Sequence, residues 1–136
     1  MKKVLILMTL ISMSLLSMSQ FVVSPALSDA IKDGNAEYLD VNVYFENAES
    51  VSDLAQQFDR YHADFDTRVK GVTALLKRNH ERSYAKFMKQ IAPLMKTNPS
   101  AVTEMEDFWI VNAVNMKIHR DFIMQLAGFY DVTYSD

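Results

Sequence analysis

The clearest pattern in the chain is the strict alternation of apolar and polar residues at positions 38–46, YLDVNVYFE. Alternation with a period of two is typical of a strand that buries one face. The inward set would be Leu39, Val41, Val43 and Phe45, and the outward set Asp40, Asn42 and Tyr44. A helix would instead mix Asp40 and Asn42 with apolar neighbours. We therefore predict a first strand over 38–46.

Apolar residues recur at intervals of three and four over positions 50–97, which is typical of helix. One helix of that length would measure about 70 Å, more than a domain of this size can cover. A short helix near 50–62, a turn at 63–66 and a longer helix over 66–92 fit better. Pro93 is expected to end or kink the longer helix.

The last third of the chain returns to strand patterns. Residues 101–111 and 113–118 predict two strands that join at Asn112, and a helix over 119–129 and a short strand over 131–135 follow. The whole order is strand, helices, strand, strand, helix, strand. This order predicts an α+β fold, a ferredoxin-like βαββαβ sandwich whose antiparallel sheet has its helices on one face. Many unrelated functions use that architecture, so the fold alone decides little.

The N-terminus has the pattern of a secretory signal peptide. Lys2 and Lys3 precede an apolar run over 4–18, and small residues follow it. A membrane anchor is the alternative, but the run of about 15 residues falls short of the roughly 20 that span a bilayer. We therefore expect the chain to be secreted or periplasmic.

The exact cut remains open among Ser19, Ala26 and Ala30. We take 1–26 as the signal peptide and 27–37 as a loose, polar leader. The remaining 38–136 would form one domain.

Composition narrows the possible partners. The chain has 136 residues, of which 49% are hydrophobic and 23% charged, as expected for one globular domain. A cut after Ala26 would remove Lys2 and Lys3 and leave 12 basic against 17 acidic residues, a net charge of −5. This charge disfavours nucleic acid, whose binding depends on basic residues that neutralise phosphates. Cysteine is absent from the sequence, so an exported domain would be held together by its core alone.

Residues 108–113, FWIVNA, resemble the centre of the prodomains of subtilisin-type (peptidase S8) serine proteases, the inhibitor I9 family. That family shows an aromatic residue, then Val-Asn-Ala, then an alternating strand, a helix and a short closing strand. The strand over 39–45 is similar to the family's first strand, and the helix from Arg68 to Phe87 resembles the longer prodomains of bacillopeptidase F-like enzymes. Phe108, Asn112 and Ala113 would be structural members of the motif.

The resemblance implies a protein without catalytic residues of its own. Such prodomains are exported attached to a protease, template its folding as intramolecular chaperones, and then bind it as competitive inhibitors. Their sheet packs on surface helices of the protease, and their C-terminal segment lies in the substrate cleft as an added strand. The cleft-directed residues here would be Thr133, Tyr134, Ser135 and Asp136.

One departure from the family pattern bears on inhibition. The sequence stops at Asp136, whereas family members attached to a protease continue through several residues into the catalytic domain. A free-standing inhibitor or chaperone and a truncated prodomain both remain open. A secreted orphan binding module that kept the fold and lost the protease is the second class of function.

The free face of the sheet is the expected interface. It would carry Tyr44, Trp109, Val111, Asn115 and Lys117, and exposed aromatic and apolar residues on one face indicate a binding surface. The alternative is that Trp109 and Val111 tuck under the leader or the long helix. Asn112 is expected to bond a neighbouring backbone group at the strand junction.

Other chemistry finds little support. The histidines and nearby carboxylates match no zinc spacing; they are His62, Asp64, Asp66, His80, His119 and Asp121. We expect no metal and no cofactor. The chain has neither cysteine nor a Gly-x-Ser-x-Gly motif, so we expect no enzyme. The predicted partner is a subtilisin-family serine protease, and neither nucleic acid nor, after signal cleavage, a membrane.

Overall fold

A computed structural model describes residues 23–135, and these form an α+β sandwich, which confirms the predicted fold class. The elements in chain order are α1 (Pro25–Asp33), β1 (Tyr38–Tyr44), α2 (Val51–Arg60), α3 (Phe65–Thr97), β2 (Val102–Phe108), β3 (Ala113–His119), α4 (Arg120–Ala127) and β4 (Asp131–Tyr134). The signal-peptide prediction falls on residues 1–22, outside the described range.

The four strands form one antiparallel sheet in the order β2-β3-β1-β4. The central strand β1 pairs with β3 over its full length, from Tyr38 opposite His119 to Tyr44 opposite Ala113. The predicted alternation is confirmed, because Leu39, Val41 and Val43 are all buried. The other face of β1 is therefore available to solvent or to a partner.

The core lies between the buried face of the sheet and the helices. Phe87 and Ile91 of α3 and Ile123 and Leu126 of α4 pack into one cluster with the inward residues of the strands. Apolar side chains at these spacings give α3 and α4 one buried stripe each, and the sheet covers it.

Helix α1 corrects the prediction of a loose leader. Its N-cap is Ser24, whose side chain accepts a hydrogen bond from the Leu27 backbone, and Pro25 occupies the first helical position. Leu27 is fully buried in the same cluster as the sheet. The prediction failed because a nine-residue helix with one buried side chain leaves almost no periodic pattern. The small residues that resemble a cleavage site are the start of this helix.

The two helices between β1 and β2 follow the prediction except at the end of α3. The predicted end of the helix at Pro93 is wrong, because α3 continues to Thr97. The hydroxyl of Thr97 donates to the Pro93 carbonyl at 2.9 Å, and Leu94 packs against the core, so the last turn is held although Pro93 cannot donate a backbone bond.

Strand β2 is shorter than predicted. It ends at Phe108, and residues 109–112 form a turn rather than part of a strand. A register shift between Val102 and Glu104 also changes which residues face the core. A shift of one residue moves every later side chain to the other face. Among the described residues, no helix is long and apolar enough to cross a membrane.

Candidate interaction surface

The open face of the sheet is built from cross-strand rows, because residues paired across antiparallel strands point the same way. One row joins Glu104, Lys117 and Asp40, with a 3.5 Å ion pair between the first two. The amide of Asn115 donates to the Asn42 side-chain oxygen at 3.0 Å in the next row. These two rows give the face a charged end and a neutral polar middle.

The third row of the open face is apolar except on β4, where Asp131 stands opposite Tyr44. Phe108 of β2 and Tyr44 of β1 flank Ala113 of β3. The two rings are 40% and 39% exposed, whereas Ala113 is buried beside them. Ile110 and Val111 in the adjoining turn are even more exposed, at 63% and 59%. We call Tyr44, Phe108, Ile110 and Val111 the apolar end of the open face.

Asn112 holds the turn in place. Its backbone has a φ of 50°, a left-handed conformation that asparagine tolerates better than most residues. Its side-chain amide donates to the backbone carbonyl of Glu46 at 3.3 Å and to the side-chain oxygen of Asn47 at 2.8 Å. Its backbone carbonyl accepts from the Phe45 backbone N–H. The predicted backbone-bonding role of Asn112 is confirmed, and Ile110 and Val111 project from a fixed turn.

Helix α3 supports the same region from the other side of the sheet. His80 is buried, and its Nε2 lies 3.0 Å from a carboxylate oxygen of Asp107. The His80 ring stacks on Tyr84, with ring centroids 5.6 Å apart. Lys77 lies over the Trp109 ring, 5.2 Å from its centroid. These contacts attach the end of β2, and the start of the turn that follows it, to helix α3.

The predicted sheet-face residues therefore divide into two groups. Tyr44, Asn115 and Lys117 lie on the open face. The placement of Trp109 and Val111 in the sheet is wrong, because both lie in the turn. Trp109 contacts Lys77 of the long helix, which was the alternative placement, while Val111 is exposed. Sequence reasoning assigned Phe108 a structural role only, although its ring lies on the open face.

The predicted cleft-directed residues lie mostly within the sheet. Thr133 pairs with Asn42 and Tyr134 with Val41 in β4, and the Ser135 backbone donates to the Asp40 carbonyl. Asp136 falls outside the described residues. Thr133 and Tyr134 would have to leave β1 to enter a substrate cleft as a separate strand.

A second set of polar contacts surrounds Glu49, in the loop before α2. The side chain of Asn79 bonds both the N–H and the C=O of Glu49, at 2.9 and 2.8 Å. Arg78 and Arg82 each lie 3.0 Å from its carboxylate. The hydrogen bond from Arg78, with the positive charges of Arg78 and Arg82, lowers the pKa of the Glu49 carboxyl. The same hydrogen bond, with the negative charge of Glu49, raises the pKa of the Arg78 guanidinium.

Arg68 of α3 holds the two helices between β1 and β2 together. It bonds the carbonyls of Phe58 and Ala63 and the carboxylate of Asp59, so it ties α2 and the turn after it to α3. No signal in the linear sequence distinguishes Arg68 from a solvated arginine, because its partners lie on α2 and in that turn.

Two of the side chains considered for metal, Asp64 and His119, serve as helix N-caps. The Asp64 carboxylate accepts from the Thr67 backbone at 2.7 Å, and this bond lowers the pKa of Asp64. His119 caps α4 by accepting from the Asp121 backbone. Within residues 23–135, no three His, Cys, Asp or Glu side chains are placed to hold a metal ion.

Comparisons with known proteins identify no relative. No family model matches the chain, and neither the curated proteins nor the solved structures contain a match to it.

Proposed function

We propose that the chain binds a subtilisin-family serine protease through the open face of its sheet and its C-terminal segment, as an inhibitor, a folding chaperone or both. The observation that carries this proposal is the apolar end of the open face. Its two rings and two β-branched side chains stand exposed beside polar rows.

The geometry of that end suits a protein partner. Interface hot spots are rich in aromatic residues and lie where the partner excludes water. The turn is fixed by Asn112 and by the contacts of α3, so binding would cost little ordering of this region. The polar rows of Asn42, Asn115 and Lys117 would then supply directional contacts around the apolar residues.

Inhibition assays test the proposal. The chain is expressed at full length, purified in the processed form that the cell produces, and titrated against several subtilisin-type proteases while peptide hydrolysis is followed. We expect competitive inhibition, and no effect on a chymotrypsin-type protease. Absence of both inhibition and measurable binding, for a chain whose circular dichroism shows the α+β fold, would overturn the proposal.

Two variants locate the binding surface. Tyr44→Ser combined with Phe108→Ser should raise the inhibition constant at least about tenfold, or about 1.4 kcal/mol. The matched control is Met124→Ser with Phe129→Ser, which alters two exposed apolar residues on and just after α4 and should leave inhibition unchanged.

A chain ending at Tyr134 keeps β4 complete, so weaker inhibition by it would assign Ser135 and Asp136 to the cleft.

An orphan binding module is favoured by one observation. Tyr134 is paired with Val41 and packs against the core, so the terminal strand contributes to the fold rather than projecting from it. A module that kept the fold and lost the protease would use the open face for another protein. Absence of both binding and inhibition of the proteases, with binding measured by calorimetry on the folded chain, would select this function.

A further inference from the structure

The two helices α2 and α3 form a hairpin that extends past the sheet. Helix α3 has 33 residues and is about 50 Å long, whereas the seven-residue strands measure about 23 Å. No residue of α3 before Leu75 is buried, and no residue of α2 is buried. About ten residues of α3 therefore pack on α2 alone.

This projecting part carries an apolar stripe that the described chain covers only in part, with Val72 and Leu76 half-buried and Phe65 and Val69 exposed. On α3 the stripe is Phe65, Val69, Val72 and Leu76, at spacings of four, three and four. Such spacing places the four side chains along one seam, as in helices that pair. Val69 lies 18 residues, or five turns, before Phe87, so the stripe continues the side of α3 that faces the sheet.

Helix α2 adds a second seam of the same kind. Its members are Val51, Leu54, Phe58 and Tyr61, at spacings of three, four and three. The two helices approach closely at Gly71, where a side chain would come within 2.3 Å of the Phe58 ring. Even so, Tyr61 and Phe65 are each 82% exposed and Val69 is 45% exposed. Two helices alone do not bury both seams, whereas four helices do.

We propose that the apolar side of the α2–α3 hairpin packs against the same side of a second copy of this chain, with the two α3 helices antiparallel, to form a four-helix dimer. This surface is separate from the apolar end of the open face.

Charge favours a second copy in this orientation. The α3 seam begins beside Asp66 and ends beside Lys77, while Asp64 caps the helix and Arg78 already pairs with Glu49. An antiparallel pair centred between Val69 and Val72 brings the acidic start of one helix level with the basic end of the other. A parallel pair would bring like charges together, which is unfavourable.

The available area fits a weak dimer. A buried aromatic ring contributes about 150–250 Å², so Tyr61 and Phe65 from two copies supply roughly 600 Å². The valine residues and the polar rim raise the total to about 1,000 Å², at the lower limit for specific interfaces. Such a dimer should form in the micromolar range rather than the nanomolar range.

Sedimentation measurements on the full-length chain, in its processed form, test the proposal from about 1 µM to about 1 mM. We expect a reversible monomer–dimer equilibrium. Phe65→Ser with Val69→Ser should raise the dimer dissociation constant at least tenfold and leave the circular dichroism unchanged. Met124→Ser with Phe129→Ser, which removes comparable exposed apolar surface elsewhere, should leave the constant unchanged. A chain that remains monomeric throughout, or a dimer that Phe65→Ser with Val69→Ser does not weaken, would overturn the proposal.

Single cysteines test the orientation, because the natural chain has none. In the antiparallel dimer the two copies of position 69 are offset by about 5 Å along the axis and those of position 76 by about 16 Å, and facing Cα atoms are a further distance of roughly 4–5 Å apart across the seam. Val69→Cys should therefore cross-link under mild oxidation, and Leu76→Cys should not, since disulfides require Cα atoms within about 7 Å. Efficient cross-linking of Leu76→Cys would overturn the antiparallel arrangement.

Discussion

The two halves of α3 have similar apolar patterns and opposite environments. Phe87 and Ile91, in the C-terminal half, are fully buried between the sheet and α4, while Phe65 and Val69, in the N-terminal half, face outward. The pattern alone would assign both halves to a core. The difference arises from length, because the sheet ends before the helix does. An amphipathic stripe thus shows that a helix has a partner face without showing whether that partner lies in the same chain.

The largest expected contrast is between two phenylalanines on this one helix. Phe87→Ala should lower the free energy of unfolding by about 3–5 kcal/mol, because it leaves a cavity in the core. Phe65→Ala should change it by no more than about 0.5 kcal/mol, because the ring is already exposed. Urea denaturation at low protein concentration, below dimer formation, measures both. Equal losses would show that the projecting half is part of the core.

A smaller effect is expected where α2 rests on α3. Gly71→Ala places a methyl group against the Phe58 ring and should cost about 1–3 kcal/mol of overpacking, offset by about 1 kcal/mol of improved helix propensity. Hydrogen exchange should show faster exchange in α2 and unchanged protection in β1 and β3. Loss of protection in the strands as well would mean that the hairpin and the sheet unfold as one unit. Ala74→Ser, at an exposed position of the same helix, is the control.

The smallest expected effect is the loss of stability around α2 at low pH. The pKa values of Glu49 and Asp64 are lowered in the folded chain. The two carboxylates therefore make their full contribution to the free energy of unfolding above the unfolded pKa values of about 4.3 for Glu and about 3.9 for Asp. It is lost as the pH falls through the lower folded-state values. As the pH is lowered, the backbone amides of α2 should therefore lose protection from hydrogen exchange before those of β1. Glu49→Gln should remove the part due to Glu49, and an unchanged acid profile in this variant would assign the effect elsewhere.

The sequence predicted the elements whose patterns are local. The alternation in β1 and the helical spacing around Ile123 and Leu126 each identify a buried face without knowledge of the partner. Helix α1 was missed because burial of Leu27 depends on the sheet and not on neighbouring residues. The placement of Trp109 and Val111 in the sheet was wrong because the turn over 109–112 is held by bonds from Asn112 to Glu46 and Asn47, which are distant in sequence.

The candidate surface was predicted only in part for the same reason. Tyr44, Asn115 and Lys117 followed from alternation, while Trp109 depended on Lys77, which is distant in sequence. If the chain is cut as the signal-peptide prediction expects, only the cut after Ser19, of the three considered, leaves both Ser24 and the buried Leu27 in the chain.

Strand β2 forms one edge of the sheet, and its open-face residues include Glu104 and Glu106. If two such edges met antiparallel about Met105, each Glu104 would stand opposite a Glu106 of the other chain. Like charges placed opposite each other discourage strands from joining edge to edge. Glu104→Gln with Glu106→Gln would remove this repulsion, so the edge that resists fibril growth would become the place where growth begins.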